Sequence, residues 1–241
     1  MTPSQPSLTH TIWFWALLLL VAGCSQSADA FLQKGKTLMQ DKKYKEALPY
    51  LNKAIDKDSR NDAAFNARGV AYLEQGDFAN AILDFNKAAE LNPKSYKPFY
   101  NRALAKSSSG DDDGALQDYG TAIGLQPQES ELYVNRGFVL ARLKRVEEAL
   151  KDFDKAIALN QKDKNAYYNR GNLRFQLEKY EAAKADFEAC VKLDDKFGKG
   201  FYGLGLAYLM LENKENACLN LKQAQKLNYF DANEAVAQNC K

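Results

Sequence analysis

The chain has one histidine, His10, and two tryptophans, Trp13 and Trp15, all near its start. If that stretch is removed in the mature protein, no imidazole remains to act as a base or to hold a metal. An excess of charge of one sign is also missing. Lys and Arg number 33 against 31 Asp and Glu, a net charge of +2. That balance offers no electrostatic footprint for nucleic acid or for an acidic membrane surface. Long apolar runs are absent but for one. Ile12 to Ala22 is unbroken over 11 residues. It is too short to cross a bilayer as a helix, and it suits the core of a secretory signal.

That run ends in Leu20-Val21-Ala22-Gly23-Cys24. Small residues directly before a cysteine, after an apolar core, resemble the bacterial lipobox. The basic residues that usually precede such a core are missing. The resemblance implies a signal peptide over 1–23, cleavage before Cys24 and diacylglycerol on its thiol. Acyl chains would then anchor the protein to a membrane by burying their methylenes. An ordinary cleaved signal or a buried N-terminal helix is the plainer alternative. Residues 24–27 would be a short lipidated tether that keeps the folded part near the bilayer.

From Ala28 to Asp231 the sequence aligns on itself without a gap at a period of 34. Position 20 of each unit is Ala47, Ala81, Ala115, Ala149, Ala183 and Ala217. Position 8 is glycine or alanine throughout: Gly35, Gly69, Ala103, Gly137, Gly171 and Gly205. Position 4 is always aromatic, and position 24 is aromatic or leucine. Apolar residues follow helical spacing in two segments, about positions 2–14 and 18–31. Small residues at 8 and 20 let two helices approach, and the large residues at 4 and 24 fill the space beside them. No unit can bury its apolar faces alone, so neighbours must stack.

These columns resemble the tetratricopeptide repeat. The resemblance implies an all-α fold, a right-handed α-solenoid of six helical hairpins. The units are 28–61, 62–95, 96–129, 130–163, 164–197 and 198–231, and a closing helix over 232–241 presents Val236 to the last unit. The first unit reads as the weakest, with Lys42 where a turn glycine is common and Pro49 in its second helix.

By the same resemblance, positions 2, 5, 6, 9, 12 and 13 form the concave wall. Asn101, Asn135 and Asn169 stand at position 6 of successive units. An amide both donates and accepts, so such a ladder can hold the backbone of an extended peptide. The alternative is that these asparagines only tie neighbouring helices together. Tyr100, Tyr168 and Tyr202 stand at position 5, Phe138 and Asn172 at position 9, and Arg142 at position 13. Tyrosines suit a binding wall, although they could equally pack into the hairpins. The clamp of chaperone-binding relatives needs Lys at position 5, which no unit has. Asn172 is the one Asn at position 9, and Gly203 follows it at position 6. An acidic chaperone tail does not fit.

Arg68, Arg102, Arg136 and Arg170 recur at position 7, and Asp84, Asp118, Asp152 and Asp186 at position 23. They are expected to pair at hairpin or inter-repeat contacts. Asp111-Asp112-Asp113-Gly114 lacks the ligand spacing of a calcium loop and reads as a turn and helix cap. Cys190 takes a packed alanine column. Cys218 and Cys240 either form a disulfide that staples the closing helix or remain separate thiols.

No nucleotide-binding or metal motif is present, and no cofactor is expected. The reading is a non-catalytic adaptor in the envelope of a Gram-negative bacterium, lipid-anchored at the outer membrane, that grips a segment of a partner protein. The alternative is a rigid subunit of an envelope assembly, contacted through its convex face or its ends.

Overall fold

The structure is a computed structural model and describes residues 27–240. Residues 1–23, read above as a signal peptide, and Cys24 lie outside the described residues. Six hairpins follow in order. They are α1 (Ala28–Gln40) with α2 (Tyr44–Lys57), α3 (Asp62–Leu73) with α4 (Phe78–Leu91), and α5 (Tyr96–Ser109) with α6 (Asp112–Leu125). After them come α7 (Ser130–Arg142) with α8 (Val146–Leu159), α9 (Lys164–Gln176) with α10 (Tyr180–Leu193), and α11 (Gly198–Met210) with α12 (Lys214–Lys226). Helix α13 (Asp231–Asn239) closes the stack. The described residues contain no strand. Each helix starts about one residue before the expected segment, and in several of them the last residue of the preceding turn caps it. Asn61, Asp77, Asp111, Asp163 and Asn213 each accept a bond from a first-turn N–H.

The hairpin is set by a size match between two columns. A Cβ added to Gly69 would lie 2.6 Å from the Phe85 ring, and one added to Gly205 would lie 2.7 Å from Leu221. Only a small residue at position 8 lets the second helix lay its large position-24 side chain across the first. Ala47, Ala81, Ala149, Ala183 and Ala217 are completely buried beside that contact.

The inter-helix turn takes a left-handed residue in every unit. Gly76 and Gly110 fill it in units two and three, but Lys42, Lys144, Glu178 and Glu212 do so elsewhere, at φ of 58–59°. The expectation that Lys42 marks out unit one is therefore corrected: four of the six units bear the left-handed cost on a side chain. Pro49 does lie inside α2, about a turn and a half from its start.

Curvature follows from which helices touch. First helices of successive units make contact, α1 with α3, α3 with α5, α7 with α9 and α9 with α11. Second helices make no comparable contact with one another. The stack therefore bends with first helices inside and second helices outside.

At the C-terminal end, α13 faces the array with Ala232 and Ala235, while Val236 is only half-buried. Val236, one turn after Ala232, lies on the same face of α13 as the two alanines. Cys218 of α12 and Cys240 are joined in a disulfide, with Cα atoms 5.4 Å apart. Among the described residues no helix is long and apolar enough to cross a membrane.

Candidate functional site

The concave wall carries a cleft between α7 and α9. Its volume is about 220 Å³, and it is lined by Phe138, Arg142, Asn169, Asn172 and Gln176. Phe138 is 51% exposed, an unusual position for a phenylalanine on a folded surface. It projects from position 9 of α7, one turn before Arg142, whose guanidinium lies 5.8 Å from the ring centre. Arg142 is held from behind. Its Nε donates to Asp112 at 2.8 Å, and a terminal nitrogen donates to Asp112 and to Ser107 Oγ. The charge is thus largely compensated, and the side chain braces the wall. The Asn169 amide makes no hydrogen bond to another protein group among the described residues. The cleft combines an exposed aromatic face with amide donors and acceptors, a pairing that suits a peptide backbone and an apolar side chain.

The rest of the asparagine column is spent differently. Asn101 donates to Asn66 Oδ1 at 3.0 Å, joining α5 to α3. Asn135 donates to the Tyr100 hydroxyl at 3.2 Å and to the Glu131 carbonyl at 3.0 Å, joining α7 to α5. These two amides connect neighbouring first helices and keep only part of their hydrogen-bonding capacity for a ligand.

The tyrosines divide in the same way. Tyr100 donates to Glu131 at 2.6 Å and tilts against Tyr119, with centroids 6.2 Å apart. Burial, with Glu131 second, raises its phenol far above the ordinary tyrosine range. Tyr168 meets Phe197 edge-on at 5.4 Å and carries the Lys199 ammonium 4.6 Å above its ring centre. Tyr202 lies tilted against Tyr229, with centroids 5.1 Å apart, and lines a separate cavity of about 380 Å³ beside α13. The structure therefore brings Phe138, Arg142, Asn169 and Asn172 together and leaves Asn101, Tyr100 and Tyr202 elsewhere on the wall.

The position-7 arginines hold the stack. Arg68, Arg102 and Arg136 each grip the aspartate of their own hairpin through two parallel bonds of 2.5–2.8 Å. Arg170 holds Asp186 through Nε on Oδ2 at 3.1 Å and a terminal nitrogen on Oδ1 at 2.6 Å. All four carboxylates are buried. Each guanidinium also lies 5.4–5.8 Å from the centre of the aromatic ring at position 4. A third contact runs back to the preceding unit, from Arg68 to Asn52, from Arg102 to Asn86 and from Arg170 to Asp154. Sequence reasoning missed these last partners, although they share one column, position 25. Hydrogen bonding to the paired aspartate raises the already high pKa of Arg68 and Arg136.

The remaining candidates have local roles. Asp111 caps α6 by accepting from Gly114 N–H at 2.9 Å, and Asp112 holds Arg142. Cys190 is fully buried, and burial pushes its thiol up to about 12.

Fold and groove together define an α-solenoid that presents a long concave face to another macromolecule. Residues 32–96, 130–163 and 165–197 match models of the tetratricopeptide repeat, more than half of the chain. The protein belongs to the tetratricopeptide repeat family, whose arrays bind protein or peptide partners. No curated protein matches it. Solved structures match its fold. Pseudomonas aeruginosa PilF aligns at 19% identity with a TM-score of 0.77, covering 88% of this chain and 97% of that one. PilW, described as a widely conserved type IV pilus biogenesis factor, aligns at 15% identity and 0.79, covering 87% and 98%. The Cut9–Hcn1 assembly of the APC/C aligns at 19% and 0.78, covering 96% of this chain. Here this chain spans just 46% of its counterpart.

Proposed function

We propose that this protein is a non-catalytic adaptor, anchored through a lipid on Cys24 at the outer membrane of a Gram-negative bacterium. Its groove holds an extended segment of a partner protein. The carrying observation is the α7–α9 cleft, where Phe138 stands exposed beside the unpartnered amide of Asn169. Asn101 and Asn135 extend the same wall and offer their remaining amide atoms. PilF and PilW resemble the array over nearly their whole length. We extend to this chain the pilus-assembly setting that PilW's description names, as part of the proposal.

A second reading takes the convex face as the contact surface of a larger envelope assembly. Leu83 of α4 and Leu219 of α12 favour it, being 64% and 68% exposed on second helices. Photo-crosslinking separates the two. A crosslinking residue at position 138 should capture the partner in membranes, and one at position 83 should not. Phe138→Ala with Asn169→Ala should abolish capture while helicity stays unchanged. Equal capture from position 83, or undiminished capture by the double variant, would sink the groove reading.

A further inference from the structure

The three-way arginine contact fails at one junction. Arg136 grips Asp152 through Nε and one terminal nitrogen, but its other terminal nitrogen has no partner. In units two, three and five that nitrogen reaches Asn52, Asn86 and Asp154 of the preceding second helix. Between units three and four the equivalent residue is Gly120, and a Cβ built there meets nothing within 4 Å. A cavity of about 720 Å³ opens beside Arg136, lined by Leu116 of α6 and by residues of α7 and α8.

Its chemistry is one-sided. The carboxylates that line it are already taken: Asp152 by Arg136, Glu148 by Arg145 and Asp154 by Arg170. Lys151 and Lys155 also line it and pair with no carboxylate among the described residues. Leu116 and Leu140 supply an apolar floor. The unmatched groups are thus one guanidinium edge and two ammonium groups.

We propose that this notch is a docking site for an acidic segment of a partner protein, one Asp or Glu of which takes the place left by Gly120. The array itself displays the ligand. At Asp154 a carboxylate from a neighbouring helix makes this same contact with Arg170. An Asp or Glu on a docking segment would complete Arg136 in that way, while Lys151 and Lys155 hold further acidic residues beside it. The site lies on the face opposite the groove and does not depend on the groove reading.

The test is titration of the intact chain with a short fluorescent poly-glutamate peptide, followed by anisotropy. Gly120→Asn adds no charge and fills the place from within, as Asn52 and Asn86 do in their own units. It should weaken binding by about tenfold or more, a loss of about 1.4 kcal/mol, while the melting temperature holds or rises. Lys151→Ala with Lys155→Ala should weaken binding comparably, and Phe138→Ala should leave it unchanged. Undiminished binding by Gly120→Asn would overturn the proposal. So would displacement by inorganic phosphate as effective as by unlabelled peptide, since the site would then be a general oxyanion site. Failure of the wild-type chain to bind the peptide would overturn it as well.

Discussion

Arg68 shows how a single residue is committed. Its guanidinium bonds Asp84 at two points, lies over Phe65 and reaches Asn52 of the unit before. Asp84 is 5% exposed, and this arginine is its one ion-pair partner among the described residues. Removing the cation strands a carboxylate in a poorly solvated site. Arg68→Leu should therefore cost about 3–5 kcal/mol, read by urea unfolding. Arg68→Leu with Asp84→Leu should cost much less, because no buried charge is left unpaired. A small effect of the single change would mean that water reaches Asp84 freely. The Arg–Asp pairing was legible from columns 7 and 23 because both repeat in the four middle units. The third partner was hidden because column 25 mixes Asn, Gly, Asp, Glu and Lys, and only the fold shows that it faces the next unit.

Among the elements, α13 depends most on a covalent tie. It is a 9-residue helix that faces the array with two alanines, so it buries little apolar surface. The Cys218–Cys240 bond spans 22 residues. Closing a loop of that length restricts the unfolded chain by about 3 kcal/mol. Cys240→Ser should release α13, with fast amide exchange over 231–239 and slow exchange retained in α1 to α10. Uniform loosening of all thirteen helices would refute a local role. Helix α6 is the weak element inside the stack, with Gly114, Gly120 and Gly124 in one helix. Its glycines are visible in the sequence, but the cavity beside Arg136 is not, since residues of three packed helices form it.

The whole molecule has a predictable response to alkali. Burial raises the phenols of Tyr100 and Tyr119 far above the ordinary range and pushes Tyr229 up to about 12. The unfolded chain would ionise these groups near pH 10. Their contribution is therefore fully present below about pH 10 and is lost as the pH rises toward the folded values. The melting temperature should stay level through neutral pH and fall above about pH 10, with phenolate absorbance lagging that of the unfolded chain. A flat melting profile into strong alkali would show that these rings are hydrated. Because each unit touches only its neighbours, such losses should spread along the stack from its ends rather than appear all at once.

Periodic columns settled the number of hairpins, their order and their packing faces. This was possible because solenoid contacts are local: residue types 34 apart repeat the same environment. The concave wall was equally readable as a set of positions. Which wall residues remain free was not. Asn101, Asn135 and Asn169 share a column, yet two are bonded across units and one is not. That difference depends on the distance between adjacent units and on the neighbour's side chain. Periodicity averages over both, and only packed helices set them one junction at a time.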